Sequence, residues 1–371
     1  MIYLIDLPAP VHGMSNINLA IKNQTRHYKE SPNIINTAPS YLAKLFPSKI
    51  WTLVKIFHTL ICYIRFCFAS AWNFKGVVYR PINGGKGLVY DIVYLTISRL
   101  FMNKIYIHHH SFNYLNAHSQ LFFIVNKIAG KKAKHIVLGQ RMATKLSSLY
   151  KIEAKNIVVL SNLAFFDKEL NQSKTSESLK LGYLSNLCIE KGLSTFISVC
   201  RILNDKNISF TAEIAGPFAD NASKKLVQLA VKNFPQLTYL GPLYGANKDK
   251  FYSSVDSFIF PTQYKNEAEP LVLYEAASSG TLLIGTQRGC MQAAIEQLQG
   301  FSIKESAKLA NEIAETIIHA KKDGLFHVEA RKSRQLAFKE VRIRAKNKLH
   351  ALLTEMAQHD KIKNSYYYHN R

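Results

Sequence analysis

Two carboxylates eight positions apart open the reading: Glu267 and Glu275, in the stretch NEAEPLVLYEAASSGTLLIGT from Asn266 to Thr286. Pro270 falls between them, and a proline suits the first helical position, where its missing N–H would be unpaired anyway. The spacing predicts a helix over 271–279, closed by Gly280 as its C-terminal cap. The helix start would favour an anion. Glu275 would lie about a turn and a half inside, and Glu267 in the loop before it. Together they could accept hydrogen bonds from hydroxyls on both sides of a bound anion. A sugar nucleotide carries that combination, a diphosphate flanked by a ribose and a hexose. Two solvated glutamates near a helix start would leave the same spacing.

A second cluster is His108, His109 and His110. Side chains alternate along a strand, so His108 and His110 share a face and His109 points away. Neighbours on opposite faces cannot meet at one metal ion, and no Asp, Glu or Cys nearby completes a ligand set. His12 and Gly13 follow the first apolar run; the glycine permits close backbone approach, although an ordinary strand-to-helix turn would use it too.

These residues need a frame. Short apolar runs fall at 2–6, 76–80, 104–109, 135–139 and 156–161, then at 179–185, 210–216, 237–241, 257–261 and 281–285. Helical patterns separate most of them, for example at 118–130, 142–151 and 193–205. Such alternation predicts parallel sheets with right-handed crossovers. The polar stretch 167–180 reads as a linker between two α/β units. The expected division is 1–168, 169–340 and a C-terminal helix and tail, 341–371, packing back on the first unit. Ligands of open parallel sheets bind at the carboxyl ends of strands.

The 371 residues, 47% of them hydrophobic, supply two cores. Five cysteines without a CxxC pair argue against a disulfide framework and a structural zinc site, and fit a reducing compartment. The opening MIYLIDLPAP reads as a strand and lacks the pattern of a signal peptide. No apolar run of membrane-spanning length is free of charge. No phosphate-binding P-loop, nucleophile elbow or basic-aromatic ladder of a nucleic-acid reader is present.

Taken together, the motifs resemble the retaining glycosyltransferases of family four, which have the GT-B fold. Glu267 and Glu275, followed by Ala276, Ala277 and Gly280, look like the family's E-x7-E signature. PAPVHGMSNIN (8–18) is similar to its N-terminal glycine loop and KIYIHHHSFNYL (104–115) to its strand-end histidine segment. IVLGQRMATKLSSLY (136–150) and NIVVLSNLAFF (156–166) resemble the last strands of its first domain. LGYLSNLCIEKGL (181–193) resembles its KG motif, and IAGPFADN (214–221) its mid-domain glycine turn.

The resemblance implies two Rossmann-like domains whose parallel sheets face each other across a cleft. It implies metal-independent transfer of a sugar, with retention, from a UDP- or GDP-linked donor to a saccharide or lipid-linked acceptor. No cofactor and no nucleic acid are implied. Residue by residue, it assigns catalysis to His110, Lys191 and Glu267. It assigns donor binding to Gly13, Asn186, Lys191, Gly216, Glu267, Pro270, Leu271, Val272 and Glu275, and acceptor contact or support to His108 and His12. Lys191 matches the lysine at the donor diphosphate. The family's second cation is replaced here by Asn186; either another cation serves, such as Arg288 or Lys265, or the phosphate clamp is weaker.

The balance of 48 basic to 25 acidic residues, a net charge of +23, attracts polyanions. In the helical pattern 51–72, Lys55, His58, Cys62, Arg65 and Ala69 form one stripe, and Phe57, Leu60, Ile61, Ile64, Phe66 and Phe68 cover most of the rest. Such a helix either packs on the first sheet or lies partly in a membrane interface. The basic runs ARKSR and VRIRAKNK and the tail YYYHNR add to an interfacial composition. The expectation is a cytoplasmic enzyme, peripheral on the anionic inner face of the plasma membrane. A basic scaffold without catalysis, binding anionic lipid or nucleic acid, is the competing reading; it has no use for Glu267, Glu275 and Lys191 together.

Overall fold

The computed structural model describes residues 1–9, 13–25, 31–43, 45–170 and 178–368, with side chains as far as Asp360. Two compact units result: Met1–Phe165 with Ala345–Arg371, and Phe166–Arg344.

The first unit holds a parallel sheet of β1 (Ile2–Ile5), β2 (Asn33–Asn36), β3 (Val77–Pro81), β4 (Lys104–His108), β5 (Lys134–Val137) and β6 (Ile157–Val159), in the order β2-β1-β3-β4-β5-β6. Its helices are α1 (Gly13–Thr25), α2 (Trp51–Trp72), α3 (Leu88–Leu100), α4 (Gln120–Ala129) and α5 (Gln140–Tyr150). β1 and β3 are buried along their whole length. That is why they read as unbroken apolar runs, since helices cover both faces of a parallel sheet.

The second unit repeats the plan with β7 (Leu179–Leu184), β8 (Phe210–Ala215), β9 (Leu237–Tyr239), β10 (Ser257–Phe260), β11 (Leu282–Thr286) and β12 (Phe301–Ile303), ordered β12-β11-β10-β7-β8-β9. The helices are α6 (Leu193–Asp205), α7 (Asn221–Asn233), α8 (Gly245–Ser254), α9 (Leu271–Ala277), α10 (Met291–Gln297), α11 (Leu309–Lys322) and the long α12 (Val328–Tyr368). Strand order reverses about β7 and β10 here, and about β1 and β3 in the first unit. Such switch points open a crevice at the carboxyl ends of the strands.

The expected strands are present; the edge strands β2 and β12 were not expected. Of the linker at 167–180, residues 171–177 lie outside the described residues, as does the tail's end.

Two expectations are corrected. In α2 the buried seam is His58, Cys62, Phe66 and Ser70. Cys62 and Phe66 join a cluster with Ile2, Leu4, Ile35, Val78 and Tyr94. The stripe read as polar thus turns inward at His58 and Cys62, and most of the apolar side chains face outward. By length and composition, Ser48–Trp72 also holds a stretch apolar enough to cross a membrane, even with Lys55 and Arg65 in it.

The basic run ARKSR is likewise no free surface patch. Arg331 is buried and donates to the carbonyls of Ser279 at 3.0 Å and Val255 at 3.0 Å; Arg334 is buried and donates to Gly280 O at 2.8 Å. These bonds pin the first turns of α12 within the second unit. Its later turns belong to the first unit, where Asp360 accepts from Val77 N at 3.0 Å and Glu355 from the Tyr106 hydroxyl at 2.9 Å.

Candidate functional site

In the second unit the switch point is built from the loops after β7 and β10. They are tied by Gln263 N donating to Glu190 O at 2.8 Å. A 3₁₀ turn, Ile189–Lys191, precedes Gly192, whose φ is +90°. A Cβ there would stand 2.2 Å from Pro261 O, so only glycine lets the two loops close. The Tyr183 hydroxyl donates to Lys191 O at 3.1 Å. Burial holds this phenol well above its usual pKa, so it keeps its proton.

Lys191 and Glu267 are brought together: Nζ lies 2.6 Å from Oε2. The ammonium also sits 4.7 Å from the Tyr264 ring centroid, and the Thr262 hydroxyl donates to the same carboxylate oxygen at 3.3 Å. Glu267 is nearly buried and Lys191 half-buried, so an ion pair here is only partly screened by water.

Glu275 has partners of its own. Lys248 Nζ lies 2.7 Å from both carboxylate oxygens, and the Tyr252 hydroxyl donates at 2.9 Å. Tyr252 is buried; burial first, and the Glu275 charge second, hold its pKa well above the ordinary value. It therefore stays a proton donor to Glu275.

The helix carrying Glu275 is shorter than expected. α9 ends at Ala277, and Pro270 is its extended N-cap, with φ −71° and ψ 132°, not the first helical residue. The preceding loop, Glu267–Glu269, is buried and held by Cys290 N donating to Ala268 O at 2.8 Å. Pro270, Leu271 and Val272 are half-buried at the start of the helix. Asn186 is exposed in the loop after β7. Gly216 ends β8 at φ +124°, where a Cβ would stand 1.8 Å from Ser185 O; its absence lets the β8 turn pack beneath the Asn186 loop. Arg288 is occupied by Glu305.

In the first unit, His108 and His110 share a face, their ring centroids 4.0 Å apart. His108 is fully buried, with Nδ1 2.6 Å from the Tyr79 hydroxyl. It packs against His110 from within the core. His110 lies past the end of β4 and is half-buried. His109 turns to the other side, 2.8 Å from the Tyr114 hydroxyl and 3.0 Å from His135 Nδ1. Burial first, and neighbouring imidazoles second, hold His108 and His109 well below the ordinary histidine pKa, so both are neutral. Gly13 opens α1, and a Cβ there would meet nothing within 4 Å; the fold itself does not demand glycine. His12 lies outside the described residues.

Sequence reasoning missed four side chains and one loop. Thr262 and Tyr264 sit between an expected strand and Glu267, so their place was legible. Lys248 and Tyr252 sit in α8, whose GANKDKFYSS has no amphipathic pattern to single them out. The loop Asn83–Gly87 follows β3 at the first unit's switch point, and its glycines were a usable signal. It is held by Asp91, which accepts from Asn83 N at 2.9 Å, and by Asn113, which accepts from Gly85 N at 2.8 Å. Asp91 is itself locked to Arg80 at 2.8 Å.

Comparison with known proteins adds three findings. Residues 164–337 match the model of the family described as glycosyl transferases group 1. No curated protein matches the chain. Solved structures do: Anabaena HepE in complex with UDP (TM-score 0.71, 14% identity, covering 95% of this chain and 99% of that one), a glycosyltransferase from Rickettsia africae (0.70, 15%, 96% and 98%), and sucrose-phosphate synthase from Thermosynechococcus elongatus (0.61, 15%, 80% and 78%). HepE has also been solved with UDP-glucose. At these identities the likeness establishes the fold, the two-domain α/β fold called GT-B.

Proposed function

We propose that this protein is a glycosyltransferase that moves a sugar from a nucleotide-sugar donor to an acceptor hydroxyl, with retention of anomeric configuration. The observation that carries this reading is the pairing of Lys191 with Glu267, and of Lys248 with Glu275, in the unit whose switch-point loops match the glycosyl transferases group 1 model. A donor offers a partner to each half of these pairs. Its diphosphate takes ammonium groups, and its sugar and ribose hydroxyls donate to carboxylates.

Lys191 counters the charge that develops on the diphosphate as the glycosidic bond breaks, a form of stabilisation that is larger in a partly desolvated site. Glu267 holds the sugar beside it, and Glu275 holds hydroxyls behind. Asn186 supplies a hydrogen bond where the family has a cation, and Lys248, held beside Glu275, is the cation we assign to make good that loss. In the first unit His110 is the residue we assign to the transferred sugar or the acceptor, with neutral His108 packed against it. UDP bound to HepE, and HepE's UDP-glucose complex, favour a uridine donor. The acceptor is a cell-envelope saccharide or glycolipid, worked on at the cytoplasmic face of the membrane; the excess of cations supports that location.

The test is incubation of the purified protein with UDP- and GDP-linked sugars, following release of the nucleoside diphosphate. Turnover of one donor that persists in EDTA, and a product whose anomeric configuration by NMR equals the donor's, are expected. No release from any donor would refute the reading, and an inverted product would refute retention.

A further inference from the structure

The outward face of α2 is built the wrong way round for a soluble helix. Its inward seam carries a histidine, a cysteine and a serine alongside Phe66, while Phe57, Phe68 and Trp72 stand 63%, 74% and 94% exposed. Leu60, Ile61 and Ile64 continue the face between them. α3 packs alongside, with the Tyr63 hydroxyl donating to Tyr90 O at 3.3 Å, and extends it with Val89, Tyr90 and Leu100, all exposed. Such a continuous apolar surface marks a contact with a partner or a membrane.

Charge says which. Between Glu30 and Glu153 the sequence has one acidic residue, Asp91. That residue is fully buried and paired with Arg80. The exposed Lys49, Lys55, Arg65 and Lys75 lie on α2 or just beyond its ends. A second copy of this face would bring like charges together with no carboxylate to pair them. A duplex nucleic acid would meet the cations but keep its bases stacked away from the phenylalanines, and a single strand that stacked on the rings would leave the aliphatic Leu60, Ile61 and Ile64 uncovered. An anionic lipid leaflet meets both: headgroups take the lysines and acyl chains take the rings.

We propose that the α2–α3 face seats the protein on an anionic bilayer leaflet, with α2 lying parallel to the surface in the boundary between headgroups and acyl chains. The helix is long enough to cross, but its seam is built into the core beneath β1, β2 and β3 through Cys62 and Phe66, and crossing would tear that core open. Trp51 and Trp72, the only tryptophans of the chain, occupy the two ends of α2. Tryptophan favours this interfacial depth. The inference stands apart from the sugar-transfer reading, and its test needs no donor.

Tryptophan emission reports on this helix alone. Vesicles of phosphatidylcholine with a quarter phosphatidylglycerol should shift it to the blue and carry the protein into the pellet; pure phosphatidylcholine should not. Phe57→Ser with Phe68→Ser removes two side chains that are mostly exposed. That variant should keep its far-UV spectrum and melting temperature, and lose at least tenfold in partition. Lys55→Glu with Arg65→Glu should lose as much at low salt and little at high salt. Protein that stays in the supernatant with anionic vesicles at low salt overturns the proposal. So does equal partition by the serine variant, or a dimer that the serine changes convert to a monomer. Duplex DNA binding that blocks the vesicles and survives the serine changes does the same. In single-tryptophan variants, a quencher confined to the outer leaflet should reach both positions; reaching only one would mean a crossing helix and sink the in-plane placement.

Discussion

Lys191 and Glu267 face each other across two loops, 2.6 Å from Nζ to Oε2, one residue from the loop after β7 and the other from the loop after β10. Each neutralises the other. On the proposed function a donor divides the pair between its phosphate and its hydroxyls, so removing either residue should both unbalance its partner and strip the donor of a contact. Lys191→Ala and Glu267→Gln should each lower kcat/KM by about 10- to 150-fold, the equivalent of one charged hydrogen bond of about 1.5–3 kcal/mol. The double variant should lose less than the product of the two. Steady-state kinetics on all three decides it; full turnover with a lowered melting temperature would make the pair structural only.

Glu275→Gln keeps the shape of the side chain but turns one acceptor oxygen into a donor amide. It faces Lys248 and a Tyr252 phenol that burial keeps protonated. Donor KM should rise roughly tenfold or more, at about 1.5–3 kcal/mol per lost charged hydrogen bond. Lys248→Met should give a similar loss if it stands in for the cation missing at Asn186, whereas a purely local role would leave KM unchanged. Titration of donor binding by calorimetry separates the two.

Gly192→Ala tests whether the loops must close to position Lys191. The left-handed backbone costs a non-glycine residue about 1–2 kcal/mol, and the new Cβ would collide with Pro261 O. The variant should be less stable in denaturant and at least tenfold slower. A stable, fully active variant would mean that the loop opens without moving Lys191.

Acid should destabilise the first unit earlier than its carboxylates require. His108, His109 and His135 are buried and neutral, and burial holds His135 down to about 4. Unfolded histidines take up protons near 6.5. Above that value neither state gains a proton and these groups add no pH dependence. As pH falls from 6.5 toward 4, only the unfolded chain protonates them, and stability drops by about 1.4 kcal/mol per pH unit for each histidine. Urea unfolding at pH 7.0, 6.0 and 5.0 should show the decline. His135→Asn should make it shallower; an unchanged slope would remove His135 from the account.

Much of this architecture was legible because parallel strands covered on both faces must be apolar throughout, as in IYLI of β1 and SFIF of β10. The edge strands β2 and β12 were not, since NIIN and FSI are short, mix polar residues with their apolar ones and leave no period to read. Glu267, Glu275 and Lys191 stood out through spacing and context, yet their partners Lys248 and Tyr252 did not. Those partnerships join α8 to α9, and nothing local in α8 marks its side of them. The arginines of ARKSR looked like surface charge because their acceptors, the carbonyls of Val255, Ser279 and Gly280, lie more than fifty residues away. The α2 stripe was visible, but its direction was not: a wheel shows that a helix has two faces and leaves open which one the sheet takes.

The outward face of α2 also governs how the protein behaves in a tube. At low ionic strength a net charge of +23 keeps molecules apart. Salt shortens the reach of that repulsion to about 10 Å at 0.1 M, and sulfate or phosphate strengthens apolar contact in its place. The protein should therefore be most soluble in dilute buffer and cloud as salt rises, until a mild detergent micelle covers Phe57, Phe68 and Trp72.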